Sequence, residues 1–165
     1  MHGKIFEYKH TVYLNETNAM GGVVYYSNYV KWQGVAREEF LIKTVPEWKL
    51  IMQEVSKGNV NMLTTEEYSH FIQHAFFGDE IIISIHAEEI KKFSFKIIFK
   101  MKKKDSNAII YEGWQKLAFD DFKGHFVPIP GHLLRSVLEH TPINEIERYK
   151  ARYNLSDRDL KINKK

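Results

Sequence analysis

Residues 15–41 concentrate the groups that can do chemistry. The run from Asn15 to Tyr29 leaves an aromatic-rich strand as a polar turn, passes through Gly21-Gly22 and enters a long apolar helix. The glycine pair permits backbone with φ > 0, or close approach of another group to the main chain. Ser27 or Asn28 offers a side-chain oxygen to cap a helix beginning near Tyr29. A loop of N–H groups feeding a helix N-terminus suits the stabilisation of a developing negative charge. Asn18, at the head of this loop, has no useful basicity, so it is neither general base nor nucleophile. Its amide can still hold a water or donate to a carbonyl oxygen.

The helix carries an anomaly. At about 100° per residue, Tyr29, Trp32, Ala36 and Phe40 fall on one face, flanked by Val30 and Leu41. Lys31, Glu38 and Glu39 lie on the other side, where Glu38 and Glu39 are expected to meet solvent. Gln33 and Arg37 break the division, because they continue from Tyr29 in steps of four within the apolar arc. A guanidinium on such a stripe needs a partner, a ligand or a route to water; the plain reading is that Arg37 snorkels or makes a buried ion pair with a carboxylate elsewhere.

The residues Thr17-Asn18, Gly22-Val23-Val24-Tyr25, Asn28-Tyr29, Trp32-Gln33-Gly34 and Arg37-Glu38 resemble the hotdog-fold thioesterases of the 4-hydroxybenzoyl-CoA thioesterase superfamily. Within it they look most like the branch that releases chains from enediyne-type iterative polyketide synthases. The superfamily at large has an acidic residue where this chain has Asn18; the enediyne branch has Asn, then Trp-Gln-Gly and Arg-Glu on one helix. The resemblance spans roughly residues 5–138, and its specific part runs from Thr17 to Leu41. The Asn18–Tyr29 segment is one residue longer than the branch pattern. The resemblance implies hydrolysis of an acyl or β-ketoacyl thioester, most directly a polyketide on an acyl carrier protein. Asn18, Arg37 and Tyr29 would be catalytic, and Gly22, Val23, Val24, Tyr25, Trp32 and Gln33 would bind substrate. It implies no metal or other cofactor, and a homodimer or homotetramer with the site between subunits. The alternatives are a general acyl-CoA thioesterase and a protein that binds acyl chains or carrier proteins without hydrolysing them.

Composition sets the frame for these groups. A chain of 165 residues that is 44% hydrophobic can bury one sizeable core. A net charge of +3 does not call for nucleic acid, and the lack of cysteine excludes disulfides, thiolate metal sites and a Cys nucleophile. No signal-like or membrane-length apolar run is present, so a soluble cytoplasmic protein is expected.

Ile5–Leu14 alternates as a half-buried strand, and Pro46 closes the long helix and opens a short one to Val55. Lys57-Gly58-Asn59 is a turn. Strands are expected over Asn59–Gln73 (long and bent), Ile81–Ile90, Phe93–Lys102 and Ile109–Asp120, the last two joined at Asp105-Ser106-Asn107. Short turns between neighbours predict an antiparallel sheet, and one long helix against it gives a single α+β domain over residues 1–140. The hotdog name, with the sheet around the helix, comes from the resemblance. A terminal helix is expected over Gly131–Glu139. Residues 141–165 read as a charged extension, with a short helix on Ile143, Ile146, Tyr149 and Tyr153 and a frayed end at Lys161–Lys165.

Other candidates are weaker. His70 and His74 lie in strand-like sequence, where a step of four does not converge on a metal. Gly124-His125-Phe126 before Pro128 is similar to a hotdog dehydratase signature, but it follows the last strand. Lys102-Lys103-Lys104 is a solvated hairpin end that can also meet the phosphates of coenzyme A or an acidic carrier protein. Glu16, Glu66 and Glu67 are spare carboxylates.

Overall fold

Alternation of β-branched and aromatic residues builds the core of the sheet. In the computed structural model, which describes residues 3–18 and 21–160, β1 is Phe6–Thr11, α1 Ser27–Thr44, α2 Trp48–Ser56, β2 Asn61–Phe71, β3 Glu80–Glu88, β4 Ser94–Lys103, β5 Ile109–Asp120, α3 Gly131–Glu139 and α4 Ile143–Tyr153. The strands form one antiparallel sheet in the order β1-β3-β4-β5-β2. Ile81, Ile83 and Ile85 of β3, and Phe95, Ile97, Phe99 and Met101 of β4, all point to one buried face. Leu117 and Phe119 of β5 extend that face, and Trp32, Ala36 and Phe40 of α1 join it in the same buried cluster. This is the α+β arrangement expected from the pattern.

Three local differences follow from backbone hydrogen bonding. The chain leaves the sheet at Thr11, earlier than the alternation suggests, because Val12 exchanges bonds with Asp79 O and Gly78 N instead of β3. A 3₁₀ turn then covers Leu14–Glu16. The long helix starts at Ser27 without a side-chain cap. Its entry is held by i→i+3 bonds, Asn28 N to Tyr25 O and Tyr29 N to Tyr26 O, and the Asn28 amide donates to Glu16 O at 2.6 Å. Ser27 and Asn28 therefore do not act as N-caps.

The bend expected in β2 is a bulge at Thr65 between the pairs Thr64↔Leu117 and Glu66↔Lys116. It reverses the parity of the strand. Before it, Met62 and Thr64 sit opposite the inward residues Phe119 and Leu117; after it, Glu67, Ser69 and Phe71 sit opposite Gln115, Gly113 and Tyr111. Beyond the sheet, α4 packs Ile146 and Tyr149 into the same core, while Ile143 is 57% exposed. Tyr153 Oη accepts a bond from Lys92 N. Residues 161–165, expected to fray, lie outside the described residues. No helix among the described residues is long and apolar enough to cross a membrane.

Phe99 has no exposed surface at the centre of the sheet. Phe99→Ala is expected to cost about 3–5 kcal/mol of unfolding free energy, read from urea midpoints at unchanged m-value.

Candidate active site

Gly21 and Gly22 take φ of +102° and +68°, the left-handed backbone that the glycine pair predicts. They turn the chain so that Thr17 pairs with Val24 and Val23 with Phe76. Asn18 stands exposed beside them, its backbone N–H bonded to Val23 O at 2.9 Å and its side chain without a hydrogen bond among the described residues. Val24 N and Tyr25 N are committed to Ala75 O and Glu16 O, so within the Gly22–Tyr25 run the N–H groups of Gly22 and Val23 are left for a ligand. Tyr25 is 54% exposed and packs on Tyr26.

Glu16 organises the start of α1, a role the spare-carboxylate reading missed. Its carboxylate accepts from Trp32 Nε1 at 2.7 Å and from Tyr13 N at 2.8 Å, and it pairs with His10 Nε2 at 2.9 Å. The three-residue step from Tyr13 to Glu16, as in a capping box, was the legible trace. Trp32 is thereby fixed in the core, packed between the tilted rings of His10 and Tyr29, with its one polar atom spent on Glu16. Tyr29 is also buried, and its hydroxyl accepts from Ala75 N at 3.0 Å. Burial raises its phenol pKa and keeps it protonated.

Further along α1, Gln33 has no exposed surface. Its Oε1 accepts from Gln115 Nε2 at 2.7 Å and its own amide donates to Tyr111 Oη. Arg37 follows on the same stripe, with Nη1 donating to Gln115 Oε1 at 2.9 Å and to Thr64 Oγ1 at 3.0 Å. Both partners are neutral. Arg37 forms no ion pair among the described residues, and its buried Nε has no hydrogen-bond partner. Burial lowers the guanidinium pKa and only the field of Glu38 opposes this; an arginine nonetheless stays charged. Arg37 thus has partners, as a guanidinium on this stripe requires, but they are neutral, and the expected ion pair with a carboxylate is absent among the described residues.

Two cavities flank α1. One of about 300 Å³ is walled by Leu41, Trp48, Met52, Phe95 and Leu117, and its charged lining residues are Arg37 and Glu38. The other, about 230 Å³, lies at the helix start between Val23, Val24, Tyr29, Phe71 and His74. Tyr29 and Arg37 stand eight residues apart, about 12 Å along the axis. One chain therefore gathers Asn18, Gly22, Val23 and Tyr29 at one end of α1, and Gln33 and Arg37 toward the other. Among the described residues no three His, Cys, Asp or Glu side chains gather to hold a metal ion. His125 sits on an exposed loop, paired with Asp121 at 2.9 Å.

A five-stranded antiparallel sheet carrying one long buried helix, with polar groups strung along that helix, is the hotdog arrangement. Three solved structures share it. The dynemicin thioesterase, described with bound polyene, is 21% identical with a TM-score of 0.76, covering 85% of this chain and 99% of its own. A 1,4-dihydroxy-2-naphthoyl-CoA thioesterase from Synechocystis is 17% identical with a TM-score of 0.73, covering 81% and 96%. A mutant 4-hydroxybenzoyl-CoA thioesterase complexed with 4-hydroxybenzoyl-CoA is 18% identical with a TM-score of 0.69, covering 81% and 98%. At these identities the likeness establishes the fold. No curated protein matches the chain in sequence. The profile of the Thioesterase-like superfamily matches residues 12–137, and the chain belongs to that family.

Burial raises the Glu16 carboxyl pKa, but the bonds from Trp32, Tyr13 and His10 outweigh it and hold the group below the ordinary value of 4.5. With the folded pKa depressed, the unfolded chain takes up the proton first as pH falls. The stabilisation is thus complete above the unfolded value and lost as pH drops through the folded one. Urea titrations between about pH 5 and pH 3 should show wild type losing stability more steeply than Glu16→Gln.

Proposed function

We propose that this protein hydrolyses an acyl thioester, with the acyl chain in the apolar cavity and the thioester carbonyl against Arg37. The observation that carries this reading is the half-buried guanidinium at the wall of that cavity, hydrogen-bonded to neutral groups and paired with no carboxylate among the described residues. A cation held by neutral oxygens favours any group that acquires negative charge beside it, as a thioester carbonyl does when water adds. Water forms a C–O bond to the carbonyl carbon and the tetrahedral oxyanion rests on Arg37. The C–S bond then breaks; the sulfur takes a proton, releasing a thiol and a carboxylic acid. Thioesters are activated, so orientation of water by Asn18 and of the carbonyl by Arg37 replaces a strong base. Gly22 and Val23 N–H groups remain available to the substrate, and Tyr29 supports that end.

The two ends of α1 become one site if two copies pair along β2. This edge strand is 11 residues long and largely exposed, with Leu63, Tyr68 and Phe71 open to solvent. Such an edge invites pairing. Antiparallel pairing of β2 with itself would set Thr64, which touches Arg37, opposite the Phe71 end, which packs on Tyr29. Arg37 of one copy and Asn18 of the other would then face one substrate. A homodimer is the minimal assembly, and a homotetramer would add a second pair.

The substrate we favour is a polyketide or β-ketoacyl chain on the acyl carrier protein of an enediyne-type synthase. The support is Asn18 in place of an acidic residue, with Trp32-Gln33-Gly34 and Arg37-Glu38 behind it, and an acyl cavity without bound polar groups beyond its charged mouth. Asn18 also supports a second reading, a non-hydrolytic acyl binder. Matched chains on coenzyme A and on a carrier protein separate the cases. Preferential hydrolysis on the carrier supports this proposal, preference for coenzyme A selects a general acyl-CoA thioesterase, and tight binding without hydrolysis selects the binder.

Arg37→Ala should lower kcat by at least about ten-fold with the fold intact by circular dichroism; unchanged turnover would remove Arg37 from the reaction. Asn18→Ala and Arg37→Ala homodimers should each be impaired, and unfolding and refolding them together should restore activity, because a mixed dimer carries one intact site. No recovery on mixing would put both groups to work within one chain.

A further inference from the structure

Arg37 is the end of a hydrogen-bond chain that runs between α1, β5 and β2. Arg37 Nη1 donates to Gln115 Oε1, Gln115 Nε2 to Gln33 Oε1, and Gln33 Nε2 to Tyr111 Oη. Tyr111 Oη lies 2.6 Å from Ser69 Oγ, which in turn donates to Glu67. The chain has one sense. A guanidinium only donates and a carboxylate only accepts, so each amide and hydroxyl between them has its orientation dictated. Burial pushes the Tyr111 phenol up to about 12, so it remains an O–H able to pass the chain on.

Two backbone features exist in support of this chain. The bulge at Thr65 turns Thr64, Glu67 and Ser69 all to the helix side; an unbroken strand would present either Thr64 or the other two. Gly113 lies under the Tyr111 ring, where a Cβ would stand 2.6 Å from Tyr111 Oη and 2.5 Å from Tyr68 O. Only glycine at that position lets the phenol reach Gln33 and Ser69 together.

We propose that Gln115, Gln33 and Tyr111, anchored on Glu67 through Ser69, are positioning residues that orient the Arg37 guanidinium toward the thioester while keeping it free of a carboxylate. The inference rests on the reading of Arg37 as the oxyanion-stabilising group. A neutral amide and a hydroxyl hold Nη1 firmly, and the counter-charge stands four hydrogen bonds away from Gln115 through Ser69, or three through the long 3.5 Å bond from Tyr111 Oη to Glu67, where it polarises the chain without quenching the cation. Nη2, which makes no hydrogen bond among the described residues and is not sealed from solvent as Nε is, is left for the carbonyl.

The test is a set of kinetic constants on the best thioester for wild type, Tyr111→Phe, Gln115→Glu, Arg37→Ala and the double variant Tyr111→Phe/Arg37→Ala. Tyr111→Phe keeps the ring and removes only Oη. It should lower kcat about ten-fold with KM within about two-fold, because orientation in the transition state is lost and apolar binding is not. Gln115→Glu keeps shape and acceptor but pairs Arg37 with a carboxylate, and should lower kcat at least as far. In the Arg37→Ala background, Tyr111→Phe should have no further effect. An equal loss from Tyr111→Phe with and without Arg37 would mean a merely structural role and overturn the proposal, as would wild-type kcat in Tyr111→Phe or Gln115→Glu. Wild-type activity in Arg37→Ala is a different failure, that of the oxyanion reading itself.

Discussion

A positive charge in the wall of an apolar cavity, with no carboxylate bonded to it among the described residues, is the constraint on which the rest of this structure depends. Removing a guanidinium from water is costly unless its hydrogens are satisfied. Here two neutral oxygens satisfy Nη1, Nε is buried without a partner, and the nearby carboxylate, Glu38, acts only through its field. Replacing Gln115 by a carboxylate would satisfy the charge more fully and abolish its use. The site tolerates an imperfect interaction in the resting state because a better one forms when negative charge develops.

The scaffold meets that constraint with means that differ from simple core packing. β3 and β4 follow the alternation of a half-buried antiparallel sheet and supply most of the apolar burial. β5 carries the polar exceptions, Tyr111 and Gln115, with Gly113 between them, on its inward face, next to the bulged edge strand β2. The start of α1 is fixed separately, by Glu16 gathering His10, Tyr13 and Trp32. One helix thus carries two independently anchored ends, which suits a site divided between two copies of the chain.

Much of this was legible in the sequence. The long apolar helix, the strand over Ile109–Asp120 and the helix over Gly131–Glu139 follow from periodicity, since each has one strong pattern and clear punctuation. The anomaly of Gln33 and Arg37 on the core stripe was visible as well. Their partners were not, because Gln115 and Tyr111 are about eighty residues away and nothing in an isolated strand marks an inward glutamine as a ligand of a helix. The parity change in β2 hides behind a single extra threonine. The first turn of α1 was misread because its capping is done by backbone carbonyls of Tyr25 and Tyr26, which leave no signature in side-chain type.

The central claim is that the Arg37 guanidinium receives the thioester carbonyl. It is tested most directly by ¹⁵N NMR of arginine side chains during titration with a non-hydrolysable ketone analogue, in which CH2 replaces the thioester sulfur and the carbonyl is kept, the Arg37 Nε–H signal being assigned by its loss in Arg37→Lys. The account predicts that this resonance moves and gains protection from exchange as the analogue saturates. Saturation that shifts the signals of the cavity-lining residues Leu41 and Leu117 while leaving the Arg37 Nε–H unchanged would contradict it.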